Sequence, residues 1–245
     1  MRQQVAKEGG SPNGNHDGGA SQMFNSVLRS SLFLLCCAFA ASVQAQPFSA
    51  LVVDAQGRPV AGAVLSLAGT AQAKPRAAAV MDQIDKQFVP AVLAVATGTA
   101  VSFPNRDDIR HQVYSFSPAK RFELRLYEGT PSAPVTFDQP GLVVLGCNIH
   151  DWVLGYVYIT DDPWFGVSDA QGRIQLNAPA GQYPATLWHP ALVDMQPLAA
   201  GTLQLGKAPV ELTLPVAVTT ALQPSAPAPT AFADAFRKAT RDAQP

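Results

Sequence analysis

The sequence predicts an all-β protein, and three observations carry that prediction. From Phe48 to about Val216 the chain runs as short β-branched and aromatic stretches, broken by glycine, proline and Asn/Asp turns. Nowhere in that span do apolar residues recur with the 3.6-residue period of an amphipathic helix. The phrase DAQGR occurs twice, at 54–58 and 169–173, between apolar runs, where Asp and Gly supply tight-turn chemistry. Many short strands joined by such turns close into sandwiches or barrels.

The elements follow in chain order. Residues 32–41, LFLLCCAFAA, lie between Arg29 and SVQAQP, the charged, apolar and small-residue order of a secretory signal peptide. Val43 and Ala45 flank the expected cut, so 1–45 reads as a leader and the periplasm as the destination. The apolar run is too short to span a bilayer comfortably, so no membrane span is expected after cleavage, with an uncleaved apolar anchor as the alternative. The polar stretch KEGGSPNGNHDGG is foreign to a signal peptide and makes Met23 an alternative start. Residues 48–69 read as two strands around the first DAQG turn, with apolar positions resuming at Val60, Ala63 and Leu65. Further strands are expected at 91–96, 99–103, 112–116, 134–138, 142–147 and 153–159, and if 121–126 is extended then Arg121, Glu123 and Arg125 share one solvated face. Tyr156 and Tyr158 alternate with Val157 and Ile159, as in a strand with differently solvated faces. VSDAQGRIQLNAPAGQYPATLWHP (167–190) returns to the opening phrase, and His189 within it reads as structural. Residues 217–245 form an Ala/Pro-rich tail in which 232–243 could make a short amphipathic helix.

Composition narrows the function. Seventeen Lys and Arg balance eighteen Asp and Glu, with no basic patch, which argues against nucleic acid. There is no G-x-S-x-G, H-E-x-x-H, P-loop, dinucleotide-binding glycine pattern or C-x-x-C, so an enzyme here would have to work through a metal. A mature form without the leader keeps one cysteine, Cys147, with no intramolecular disulfide partner in an oxidising compartment. Cys147, His150 and His111 have the chemistry of a soft metal site. A thiolate with two imidazoles suits copper, and zinc accepts the same atoms but wants a tetrahedral fourth ligand. CNIH (147–150) makes a short loop between two expected strands, and His111 arrives from another loop after FPNRDD.

VSFPNRDDIRH (101–111) followed by CNIH resembles the plastocyanin-like blue copper proteins, the cupredoxins. More narrowly, AKRFEL, Y-x-G and V-x-F-x-x-P-G-x-V-x-L-x-C-N-I-H-D-W across 119–152 resemble an exported bacterial group labelled methylamine-utilisation or plastocyanin-like proteins. The resemblance covers about 80–160 and implies a Greek-key β-sandwich of cupredoxin type over 75–160. It implies one copper ion cycling between Cu(I) and Cu(II), with His111, Cys147 and His150 as ligands. His150 would be the more exposed electron route, and the Gln112 N–H would donate to the sulfur. One position departs: Gly155 stands where the weak axial methionine belongs, and Val153 cannot ligate. The fourth position is therefore open between water, a backbone carbonyl, a carboxylate such as Asp151, and nothing. Met81 and Met195 cannot be placed from sequence.

The outer segments resemble a transthyretin-like or carboxypeptidase-regulatory-like β-sandwich. Its V-x-D-x-x-G-x-P-V-x-x-A-x-V, D-x-x-G-x-x-x-L and P-x-G-x-Y phrases fall at 52–65, 169–176 and 179–183, with leucine in the last place of the first. This implies one sandwich from 48–69 plus 163–216, with the copper domain inserted in it or packed on it. The function expected is one-electron transfer with an unidentified redox partner. The alternatives are a copper accessory or chaperone protein with an exchange partner, a non-redox structural module, and open-site copper chemistry as the one enzymatic route.

Overall fold

The computed structural model describes residues 45–75, 78–131, 133–148, 150, 152–206, 209–218 and 222. The signal-peptide run and the amphipathic segment 232–243 lie outside the described residues. Among the described residues seventeen strands follow one another: β1 Ala45–Val53, β2 Val64–Leu67, β3 Ala79–Val80, β4 Asp82–Ile84, β5 Gln87–Val89, β6 Val92–Ala96, β7 Thr99–Ser102, β8 His111–Ser115, β9 Phe122–Tyr127, β10 Val135–Phe137, β11 Gly141–Gly146, β12 Leu154–Thr160, β13 Trp164–Val167, β14 Arg173–Pro179, β15 Gly181–Trp188, β16 Leu198–Leu205 and β17 Val210–Thr213. Among the described residues the only helical element is a single 3₁₀ turn, Val193–Met195.

Fifteen of these strands make two sandwiches, and β4 and β5 pair with each other in a hairpin. One stacks β14-β1-β17 on β13-β2-β15-β16, the other β10-β7-β3 on β6-β12-β11-β8-β9. The N-terminal strands pair only with late ones. In β1, Phe48 lies opposite Leu176 and Val52 opposite Leu212, while β2 sits between β13 and β15. Residues 79–160 build the second sandwich, whose strand neighbours are out of sequence order in the manner of a Greek key. Alternation sets both cores. Phe48, Val52, Leu65, Leu67, Ile174 and Leu187 fill the outer one, and Val101, Phe103, Val113, Phe137, Val143 and Val157 the inner one.

The two DAQGR phrases fold alike. Asp54 Oδ1 accepts the N–H groups of Gln56 and Arg58, both at 2.9 Å, and Asp169 Oδ1 accepts those of Gln171 and Arg173, both at 2.9 Å. Gly57 and Gly172 take φ of 76° and 75°, a left-handed conformation that a side chain would strain. At Gly172 there is no room either, because a Cβ would lie 2.5 Å from the Val52 carbonyl oxygen.

A third apolar cluster joins the sandwiches. Tyr156 and Tyr158 on β12 do not face solvent, contrary to the alternation read from the sequence. Both are 8% exposed and pack on Trp188 of β15, with ring centroids 5.9 and 5.7 Å away. Trp188 donates its indole N–H to the Met195 carbonyl at 2.9 Å. Val64 and Val92 complete the cluster. β12 is therefore covered on both faces, which explains why Gly155 to Thr160 are all buried. Aromatic pairs of this kind contribute about 0.5–1.5 kcal/mol each beyond their burial.

Candidate metal centre

Three strand ends bring the predicted donors together. β11 ends at Gly146, Cys147 follows, and the chain turns back through a His150 N–H to Cys147 carbonyl bond of 3.3 Å. A Val153 N–H to His150 carbonyl bond of 2.9 Å then leads into β12. His111 opens β8, next to β11 in the same sheet. Cys147 Sγ lies 3.6 Å from His111 Nδ1 and 3.9 Å from His150 Nδ1, and all three donor atoms fall within 4.8 Å of one another. Cys147 and His111 are 1% and 0% exposed, while His150 is half-buried. An ion about 2.0–2.3 Å from two donors at a trigonal angle spaces them about 3.5–4 Å apart, so the two sulfur–nitrogen distances suit one ion.

The His111 tautomer follows from its far side. Nε2 donates to Asp107 Oδ2 at 2.7 Å, which leaves Nδ1 with a free lone pair turned toward the sulfur. Asp107 also accepts the N–H groups of Asp85 at 2.7 Å and Lys86 at 2.9 Å. These two residues make the turn of the β4–β5 hairpin with φ of 53° and 59°, a conformation costly for residues other than glycine. One carboxylate thus holds a strained turn and orients an imidazole. Burial pushes the Asp107 carboxyl up, but the Lys86 N–H, the His111 ring and the Asp85 N–H outweigh it, and the group stays below the usual carboxylate range. Burial, then the neighbouring His111 and Lys86, hold His150 below the ordinary imidazole value, which favours the neutral ring a metal requires.

The approach to His111 is fastened by Asn105. Its Nδ2 donates to the carbonyls of Ile109 at 2.7 Å and Tyr127 at 3.0 Å, and its Oδ1 accepts the Asp107 N–H at 3.0 Å. Beside Cys147, the Tyr114 ring lies on Gly146, where a Cβ would come within 2.7 Å of the phenol. The Trp152 ring meets His150 edge-on at 5.3 Å.

The surroundings differ from the sequence reading at two points. A Gln112 N–H bond to sulfur is not among the sulfur's hydrogen-bonding contacts in the described residues, which are the two imidazole nitrogens. Gln112 falls at a register shift between β8 and β9, off the regular ladder. The space beside Gly155 is filled, since a Cβ there would lie 2.7 Å from Phe88 Cδ2. Met81 is fully buried in the same core as Cys147, Met195 belongs to the Trp188 cluster, and Asp151 lies outside the described residues. Asp107 is the partner the sequence reading missed. It appears within FPNRDD four residues before His111, but nothing local says that it also holds the hairpin. His189 is structural: Nε2 donates to the Ala61 carbonyl at 3.2 Å and Nδ1 accepts the Ala191 N–H at 3.1 Å.

No family model matches the chain, and no curated protein does. Among solved structures, a purple cupredoxin from Nitrosopumilus maritimus aligns at 20% identity over 34% of this chain and 99% of its own, with a TM-score of 0.31. A copper-containing nitrite reductase from Thermus scotoductus aligns at 22% identity over 44% of this chain and 28% of its own, with a TM-score of 0.33. An amicyanin variant in its Cu(I) form aligns at 19% identity over 39% of this chain and 98% of its own, with a TM-score of 0.31. Similarities this distant assign no family.

Proposed function

We propose that the chain is an exported copper protein of cupredoxin type that passes single electrons in the periplasm. The observation that carries this reading is the convergence of Cys147 Sγ and two imidazole nitrogens within 4.8 Å, with His111 already set in the metal-binding tautomer by Asp107. A bound copper ion would supply a one-electron couple between Cu(I) and Cu(II). The chain's part is to hold its donors still and dry. His111 and Cys147 are fixed at strand ends and sealed by the core, so a change of charge meets little rearrangement. His150, half-buried beside Trp152, is the side of the site from which an electron reaches a partner.

The same burial disfavours a chaperone role, because two of the three donors are closed to an incoming exchange partner. Catalysis is not part of the proposal. Among the described residues no helix is long and apolar enough to cross a membrane. The narrower kinship with the methylamine-utilisation group and the transthyretin-like character of the outer sandwich are proposed from their sequence phrases alone. The test is the optical and electron paramagnetic resonance (EPR) spectrum of copper-loaded protein. An intense thiolate-to-copper band should appear and vanish in Cys147→Ser; a band that survives the substitution would overturn the assignment.

A further inference from the structure

We propose that the chain's own C-terminal segment, through Phe232 and Phe236, covers an apolar face of the inner sandwich beside the loop that carries Cys147. The face belongs to the five-stranded sheet. Phe116, just past β8, is 77% exposed, the most of any large apolar residue among the described ones. It packs on Tyr114 with ring centroids 5.2 Å apart. Tyr114 stands opposite Gly146 on β11, and Gly146 stands opposite Leu154 on β12. These side chains and Val144 line a groove of about 330 Å³. An aromatic pair left in water beside an apolar groove marks a surface that something covers.

The exit of the chain points to what covers it. Past β17 the backbone is fastened to the first DAQGR turn: Val218 donates its N–H to Asp54 Oδ2 at 3.2 Å, and its carbonyl accepts from Arg58 Nη2 at 2.9 Å. Leu222 then packs against the cluster of Val92, Tyr156 and Trp188, on which Val144 and Leu154 also pack. A Cβ on Gly62 would lie 2.7 Å from Leu222 Cδ1 and 3.3 Å from Val92 Cγ2, so the two side chains meet there. At Leu222 the chain therefore already lies against the apolar cluster that runs on into the groove.

Distance and sequence both suit this occupant. From Val92 to Tyr114 the order β6-β12-β11-β8 makes three strand steps of about 4.8 Å, and the register moves about 7 Å along the strands. The gap is about 16 Å. Phe232 comes ten residues after Leu222, along an Ala/Pro-rich stretch. Ten residues span about 16–19 Å as a flexible chain and about 30 Å as polyproline, so the reach is sufficient. Phe236 follows four positions later, and residues four apart fall on one side of a helix and of an extended strand alike. The tether gives these two rings a local concentration that a free partner lacks. The rim offers a foreign protein no single sign of charge, since Arg121, Glu123 and Arg125 alternate along it. Seated there, the rings cover Tyr114 and Gly146, the backbone neighbour of Cys147, and close that approach to the loop.

The experiment is NMR of the metal-free chain carrying its whole C-terminal segment, beside the Phe232→Ala/Phe236→Ala double variant. The Phe232 and Phe236 ring protons should show nuclear Overhauser contacts to the rings of Tyr114 and Phe116, a readout that needs no variant to fold. Phe116 should be shielded from a soluble gadolinium chelate in wild type, and its relaxation enhancement should rise several-fold in the double variant. Contacts found only between differently labelled copies, or shielding lost on dilution, would assign the face to a second copy and overturn the proposal. A Phe116 ring relaxed equally in both proteins would leave the face open to a separate partner and overturn it too. No metal enters the measurement, so its outcome is independent of the copper reading.

Discussion

Asp107→Asn tests whether the ligand geometry depends on the β4–β5 hairpin. Three donors converge on this carboxylate: His111 Nε2 at 2.7 Å, the Asp85 N–H at 2.7 Å and the Lys86 N–H at 2.9 Å. Asparagine has one oxygen to offer. Turned toward His111 and Lys86, it sets its NH₂ against the Asp85 N–H, donor to donor. Turned the other way, it faces His111 with a donor and drives the ring proton to Nδ1, blocking the lone pair meant for the metal. Either arrangement loses a charge-assisted bond and leaves a donor unmet, a cost of about 1–3 kcal/mol. Outer partners of this kind typically carry 10–100-fold in metal affinity, about 1.4–2.7 kcal/mol. Copper affinity by chelator competition at pH 7 should therefore fall within that range, and nitrogen NMR of the metal-free protein should show a changed His111 tautomer. Affinity within about twofold of wild type, with the tautomer unchanged, would refute the reasoning.

Two further outcomes follow from the surroundings. Burial holds His189 at about 4, below its ordinary 6.5, so on acidification the unfolded chain takes up the proton first and the folded state loses stability between those values. The loss is on the order of 3 kcal/mol, and His189→Gln should flatten the pH dependence of the urea midpoint between pH 7 and 4; parallel profiles for the two proteins would count against it. At Gly155, methionine should destabilise rather than cap the metal, because its Cβ starts 2.7 Å from Phe88, and overpacking costs about 1–3 kcal/mol. Adding Phe88→Ala should recover part of that loss in urea unfolding, and strictly additive effects would show that the two positions do not meet.

The parts of this molecule legible in the sequence are those written in local pattern. Apolar alternation marks β6 to β8 and β10 to β12 within a residue or two, and the Asp–Gly pairs mark both DAQGR turns, because each signal lies inside the segment it shapes. The candidate donors could be picked out because Cys147 and His150 share one tight loop and His111 closes a phrase of its own, and the fold brings the three together. The β4–β5 hairpin carries no such mark. Its strands are three residues long, and its turn uses Asp85 and Lys86 instead of Asn and Gly. That turn is held by Asp107, some twenty residues away, so no window of sequence contains both the strain and what offsets it. Tyr156 and Tyr158 show the same limit from the other side: alternation separates two faces of β12 but does not say that Trp188 covers the second. Gly155 joins the two cases. As sequence it marks a missing thioether, and in the fold it is the floor on which Phe88 rests, with Gln83 beside it on the same hairpin. The setting of His111 therefore depends on the β4–β5 hairpin, through Asp107, as well as on its own strand.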